Sequence, residues 1–209
     1  MKKMTWMVFI LMISFTWAAA QDEEENFKTL FGSIESHGGY GGISVGYSQI
    51  DNRDALVIGG RAAWIINHQL ALGVAGTAFL NEYEYDSFLA EDVNLQGGYG
   101  GLMIEPILGG QEWVHLSFPI VVGAGGIVHA EKYVHRNRYD YDYRDDYVND
   151  TDAFFLLEPG AELEFNMFRF LRVSMGAYYR YTDNIDLYDT DEDVLRGFSY
   201  QLTFKIGKF

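Results

Sequence analysis

Apolar and polar residues alternate along most of this chain with a period of two. The pattern is clearest in the last stretch, where Phe198, Tyr200, Leu202, Phe204 and Ile206 are interleaved with Ser199, Gln201, Thr203 and Lys205. Successive side chains of a strand point to opposite faces, so this stretch reads as a strand with one apolar and one polar side. From His37 onward the pattern recurs between clusters of Gly, Asn, Asp and Pro that act as turns. The predicted strands run Tyr40 to Gln49, Ala55 to Ile66, Leu70 to Leu80, Leu95 to Glu105, Trp113 to Gly126, Phe154 to Phe165, Phe170 to Tyr181 and Phe198 to Ile206, eight in all.

The connections have an order of their own. Those after the second, fourth and sixth strands are short: Asn67 to Gln69, Pro106 to Gly110, and Asn166 with Met167. Asn81 to Asn94, Ile127 to Asp152 and Thr182 to Leu195 are long, with Asp51 to Asp54 a short exception on that side. An even strand count, short turns at one end and long loops at the other predict an all-β fold, an eight-stranded antiparallel up-and-down transmembrane β-barrel. The faces agree. Leu56, Ile58 and Trp64 oppose Arg61; Leu157 and Leu163 oppose Glu158, Glu162 and Glu164; Val173, Met175 and Tyr179 oppose Arg172 and Arg180.

Alternation alone does not separate a membrane barrel from a soluble lipocalin, which is apolar inside and charged outside. Aromatic placement favours the membrane. Trp64 and Trp113 fall at short-turn strand ends, while Tyr139, Tyr141, Tyr143, Tyr147, Tyr178, Tyr179 and Tyr181 crowd the long-loop ends. Girdles at both interfaces are expected of a membrane barrel.

The start of the chain adds the compartment. Lys2 and Lys3 precede an apolar run from Met4 to Trp17, then Ala18, Ala19 and Ala20, which is the layout of a cleaved signal peptide. The expected division is therefore 1–20 signal peptide, 21–36 acidic leader and 37–209 barrel. Phe27, Leu30 and Phe31 in the leader have the spacing of a short amphipathic turn. Removing Lys2 and Lys3 takes the formal charge from −15 to −17, which argues against nucleic acid as a partner. The chain has no cysteine, so neither disulfides nor a lipidated Cys are available.

The amphipathic last strand ending on Phe209 resembles the C-terminal signal read by the barrel-assembly machinery of outer membranes. In that signal the terminal Phe shares the apolar phase, whereas Phe209 is out of step with Ile206 and Phe204; a bulge at Gly207 would restore the phase. Residues 37–209 as a whole resemble the small eight-stranded outer-membrane barrels of the OmpX kind, including the membrane domain of OmpA. The resemblance implies the outer membrane of a Gram-negative bacterium, a monomer, and outer-membrane lipid and the assembly machinery as partners. A Gly-Gly-Tyr-Gly-Gly motif occurs twice, at 38–42 and 97–101, and reads as glycine packed on an aromatic ring in a curved strand.

Arg61, Glu105, Glu158, Glu162, Glu164, Arg172, Arg180 and Lys205 fall on the inner face. Eight strands leave just enough room for side chains, and isolated buried ions are costly, so these should pair into a plug, with Glu162 and Arg172 as partners. His115 and Ser117 share the inner face with Glu158 across the strand pair, weak candidates for a Ser-His-acid site of the kind found in barrels that modify lipid A acyl chains. Residues i and i+2 on a strand stand about 6–7 Å apart, too far for a base to touch its nucleophile. Pro119 and Pro159 each remove a ladder donor mid-strand, which predicts a bulge or lateral notch between strands five and six. Asp186, Asp189, Asp191 and Asp193 are weak candidates for Ca²⁺, although the run lacks the Gly and terminal Glu of an EF-hand loop. No residue pattern calls for a cofactor.

The expected function is a non-enzymatic barrel with a plugged lumen. Its acidic, Tyr-rich outer loops would serve surface binding of a protein or glycan, adhesion, or envelope integrity. A lipid A acyl-modifying enzyme with lateral access between strands five and six is the alternative, and a narrow pore the second alternative.

Overall fold

The structure, a computed structural model, describes residues 34–82, 84–86, 91–131, 151–187 and 190–209, excluding the side chains of 84–86, 91–93 and 129–131. The signal peptide and nearly all of the acidic leader lie outside this set, as does the Tyr-rich run 139–147. The described residues form ten strand segments: β1 (His37–Ile50), β2 (Arg53–Ile66), β3 (Leu70–Asn81), β4 (Glu84–Asp86), β5 (Glu91–Leu108), β6 (Val114–Ser117), β7 (Ile120–Glu131), β8 (Thr151–Phe168), β9 (Leu171–Thr182) and β10 (Gly197–Lys208).

Every pairing is antiparallel, and the sheet closes. β1 pairs with β2 from His37↔Ile66 to Ile50↔Arg53, and with β10 from Gly39↔Lys208 to Ser48↔Ser199. Round the ring the order is β1, β2, β3, β5, then β6 and β7 end to end, β8, β9 and β10. That makes eight staves, with β4 a short addition to β5 beyond the ring. The first hairpin turns on Asp51 and Asn52 at φ of 57° and 56°. Asn and Asp tolerate this left-handed conformation, and its twist matches that of the flanking strands.

The fifth predicted strand, Trp113 to Gly126, is divided at Phe118 and Pro119, but the predicted notch is not there. Ile107↔Ser117 and Ile104↔Ile120 keep one register on the β5 side, as do Ser117↔Glu162 and Ile120↔Pro159 on the β8 side. Phe118 N donates to Pro106 O at 2.9 Å and Gly160 N to Pro119 O at 2.7 Å. Only the donor that proline cannot supply is lost, so neither bulge nor opening forms on this seam. The paired residues of β8 and β9 skip from Leu157↔Tyr181 to Gly160↔Tyr178 without changing register. Pro159 therefore interrupts the opposite seam of β8 from the one expected.

The wall is apolar outside. Ile43, Val74, Leu102, Phe155, Met175, Phe204 and Ile206 are all exposed. Trp64 and Trp113 are exposed beside the short turns, and Tyr179 and Tyr181 near the long-loop end. Tyr178 departs from that belt, because its even position turns it into the lumen. Phe209 also departs from expectation. The β1–β10 register is unbroken through Gly207, so no bulge restores the outward phase. The ring of Phe209 instead stacks on Tyr40 at 6.1 Å and lies 4.1 Å from the Arg172 guanidinium, under the short-turn mouth.

Candidate functional site

The lumen is filled in layers, and the alternation of each strand dictates which residue enters which layer. In the short-turn half, Lys205 of β10 is the hub. Its Nζ donates to Glu105 Oε1 at 2.6 Å, to Glu162 Oε2 at 2.7 Å and to Glu164. Glu162 also accepts from Arg61 Nη1 at 2.8 Å and from the Tyr178 hydroxyl, which in turn accepts from Arg61 Nη2 at 2.8 Å. Glu164 bonds His115 Nε2 at 2.9 Å, accepts from Ser117 Oγ at 2.9 Å and lies 3.5 Å from Arg172 Nη1. The oxygens of Glu105, Glu162 and Glu164 converge closely enough to share a cation, and the Lys205 ammonium already occupies that place. Beside the hub, with the Tyr40 ring 5.0 Å from Lys205 Nζ, Tyr40, Ile65, Ala71, Met103, Ile107 and Val121 form an apolar cluster that reaches Phe209.

The expected Glu162–Arg172 pair is absent. Glu162 stands opposite Gly176 and Arg172 opposite Asn166, an offset of four residues or about 13 Å along the strands. Arg172 instead reaches Glu164 and donates to Gly110 O at 2.9 Å, tying the β5–β6 turn beneath the barrel.

The Ser-His-acid arrangement is not assembled either. His115 and Ser117 both engage Glu164 and not each other, and Ser117 Oγ also donates to Glu162 at 3.1 Å. The one proton of the Ser117 hydroxyl is shared between the two carboxylates and the His115 imidazole does not touch it, so the expected relay through histidine is not formed. Glu158 pairs with Val121, about four residues further along β8, and accepts from the Tyr99 hydroxyl at 2.6 Å.

Above the hub the character changes. Ile50, Val57, Phe79, Leu95, Ile127, Phe154 and Leu156 form an apolar core inside the long-loop half. The segment after β9 folds back into this core and buries Ile185, Leu187, Val194 and Leu195. It is pinned by Arg180 Nε to Leu195 O at 2.6 Å, Ile185 N to Glu192 O at 2.9 Å and Asp186 N to Asp152 Oδ2 at 2.7 Å. Arg180 is fully buried, 5.6 Å and 5.8 Å from the rings of Phe79 and Tyr99. The barrel mouth thus carries a hydrophobic cap, where the sequence reading expected only a charged loop.

Asp186, Asp191 and Asp193 are exposed on this cap, and Asp189 lies outside the described residues. Among the described residues these acids form no group close enough to hold an ion.

The repeated glycine motif has a role the sequence reading passed over. Tyr40 donates to Glu105 and Tyr99 to Glu158, so each copy sends its tyrosine inward to a buried carboxylate. The glycines make this possible: a Cβ on Gly101 would meet Gly123 Cα at 2.7 Å on the next strand.

A closed ring, an apolar outer wall and an ion-filled interior define a transmembrane β-barrel whose lumen is a packed core. The chain has the fold of the small eight-stranded outer-membrane β-barrel proteins. It is similar in structure to Neisserial surface protein A, at 12% sequence identity and a TM-score of 0.52, over 83% of this chain and 97% of that one. It is also similar to Ail, the attachment invasion locus protein of Yersinia pestis, at 14% identity and a TM-score of 0.43, over 82% and 97% of the two chains. A third similar structure is the outer membrane enzyme PagL, at 14% identity and a TM-score of 0.41, over 79% and 98%. At these identities the likeness is one of fold. No family profile matches the chain, and no curated protein is similar to it in sequence.

Proposed function

We propose that this chain resides in the outer membrane of a Gram-negative bacterium and acts, without catalysis, through its acidic, Tyr-rich outer loops in surface binding or adhesion. The observation that carries this reading is the filled lumen. Among the described residues four buried acids face four buried bases, each of these carboxylates has a partner, and a hydrophobic cap occupies the long-loop mouth. Such an interior supports a scaffold role and leaves the outer loops as the segments on which a protein or glycan would dock.

Exchanging residues 139–147 for a Gly-Ser segment of equal length should cut adherence of cells displaying the protein, to immobilised matrix proteins and glycans, at least ~10-fold; loss of a few aromatic anchors is enough for that. The shift in gel mobility on boiling, which reports the folded barrel, should be unchanged. Ser117→Ala and His115→Ala should leave the acyl composition of lipid A unaltered. Adherence that survives the loop exchange, or acyl release that disappears with either point substitution, would overturn the reading.

A further inference from the structure

The cap over the long-loop half of the lumen is an imperfect occupant of the space it fills. Ile185, Leu187, Val194 and Leu195 come from a loop, not from the staves, and complete an otherwise apolar core. Two buried polar groups in this half keep unused hydrogen-bonding capacity. Arg180 Nη1 and Thr182 Oγ1, two residues apart on the inner face of β9 and both fully buried, find no partner among the described residues. The cap offers the Arg180 guanidinium Leu195 O at 2.6 Å, and the wall offers it Ser48 Oγ at 3.4 Å. A core has no need of a guanidinium for stability, since a well-packed apolar side chain serves as well or better. Buried donors left without acceptors are costly, so a better occupant than the cap is one that supplies them.

The surroundings of Arg180 specify the missing acceptor. The β8–β9 register sets Glu158 opposite Arg180, between Leu157↔Tyr181 and Gly160↔Tyr178, so the guanidinium already has a counter-charge beside it. An added anion would face the Glu158 carboxylate at low dielectric, whereas a neutral carbonyl, like the one Leu195 lends, would not. The cap is also held against its own charge. Asp183, Asp186, Asp191, Glu192 and Asp193 are all exposed on it, and like charges so close together repel. Its polar ties to the staves, at Asp152, Phe155, Arg180 and Thr182, all lie at the long-loop end.

We propose that the long-loop half of the lumen is a binding chamber for an uncharged, largely apolar molecule bearing a carbonyl oxygen, with the cap as a displaceable strap that fills it in the ligand's absence. The apolar body of the ligand replaces the four cap side chains. Its carbonyl replaces Leu195 O on Arg180, and Thr182 Oγ1 supplies a second donor. The chamber is separate from the loop surface proposed above for docking.

The test uses benzophenone, an uncharged aromatic ketone that inserts into C–H bonds on irradiation, with the full mature chain folded in phosphatidylcholine vesicles. Tandem mass spectrometry maps the attachment sites. Probe dissolved in lipid marks Ile58 and Leu157 on the outer wall, while attachment at the neighbouring Val57 and Leu156 reports the chamber. The unaltered chain should be marked at both. Arg180→Met should cut the chamber yield ~10-fold and Thr182→Val ~3-fold, as loss of a charged and of a neutral donor does, with the wall yield unchanged. In the unaltered chain an aliphatic methyl ketone should compete for the chamber about 10-fold better than the alkane of the same length. The fatty acid of that length should not compete. No chamber marking in the unaltered chain, or marking that the alkane or the fatty acid suppresses as well as the ketone does, would overturn the proposal. So would an undiminished chamber yield in Arg180→Met or Thr182→Val chains that keep the boiling-dependent gel shift. The competition needs no substitution, so it decides the matter even where Arg180→Met fails to fold.

Discussion

Lys205→Met is expected to lower the free energy of unfolding by about 3–5 kcal/mol, the usual consequence of removing one partner from a buried ion pair. The loss should be read from urea titrations of the barrel folded in lipid vesicles. Lys205 Nζ touches three carboxylates, those of Glu105, Glu162 and Glu164, and all three are almost completely buried. Without the ammonium, Glu105 retains only the Tyr40 hydroxyl, while Glu162 and Glu164 turn on Arg61, Arg172 and His115. Adding Glu105→Gln to Lys205→Met should restore part of the stability, because Glu105 is the carboxylate whose ion pair is lost with the ammonium and the cost lies in uncompensated charge and not in lost packing. A loss below about 1 kcal/mol, the range of exposed ion pairs, would mean that the hub is hydrated and the lumen wet.

Phe154→Ala is expected to cost a similar amount, about 3–5 kcal/mol, as large-to-small changes in well-packed cores do. Phe154 is almost fully buried in the apolar half of the lumen, in the cluster that contains Leu195 and Ile185 of the cap. It fits there because Gly125 faces it: a Cβ at that position would come within 2.6 Å of Phe154 Cζ. The neighbouring Phe155 points outward and is 74% exposed. Its replacement by alanine removes only a lipid contact, worth on the order of 0.5 kcal/mol. Thermal midpoints of the gel-mobility shift for the two variants separate these cases. Similar losses at both positions would mean that the capped half of the lumen is not a core.

These two regions differ in how far the sequence disclosed them. Strand positions and their facing are local properties, so the alternation of Leu157, Leu163 and Phe165 with Glu158, Glu162 and Glu164 was enough to place those acids inside. Partner choice is not local. Arg61 and Glu162 are 101 residues apart and meet across the lumen, and the register between staves decides which charges face each other. That is why Glu162 and Arg172, on adjacent strands, were matched from sequence and yet stand apart. The cap was overlooked for a different reason. Ile185, Leu187, Val194 and Leu195 lie among so many Asp residues that net charge hid a short apolar pattern. Those four positions were the available signal. Strand parity, shared with Lys205 and Gly207, puts Phe209 out of step with the apolar face, and with no bulge at Gly207 to restore the phase its ring turns inward. The prolines were located correctly at neighbouring heights, but a missing N–H interrupts only the one seam toward which it would have pointed.

Because the chain has no cysteine, single cysteines can report directly which face of β9 and β10 meets lipid. The most direct measurement uses Met175→Cys, Ala177→Cys, Ser174→Cys and Thr203→Cys, each spin-labelled in urea before folding into vesicles, and reads the collision rate of the nitroxide with oxygen dissolved in the lipid. The barrel described above predicts frequent collisions at positions 175 and 177, which are exposed on the outer wall, and protection at 174 and 203, which are fully buried among the lumen ions. Collision rates at 174 and 203 equal to those at 175 and 177, or a reversal of the pattern, would contradict a wall that is apolar toward lipid and ionic within.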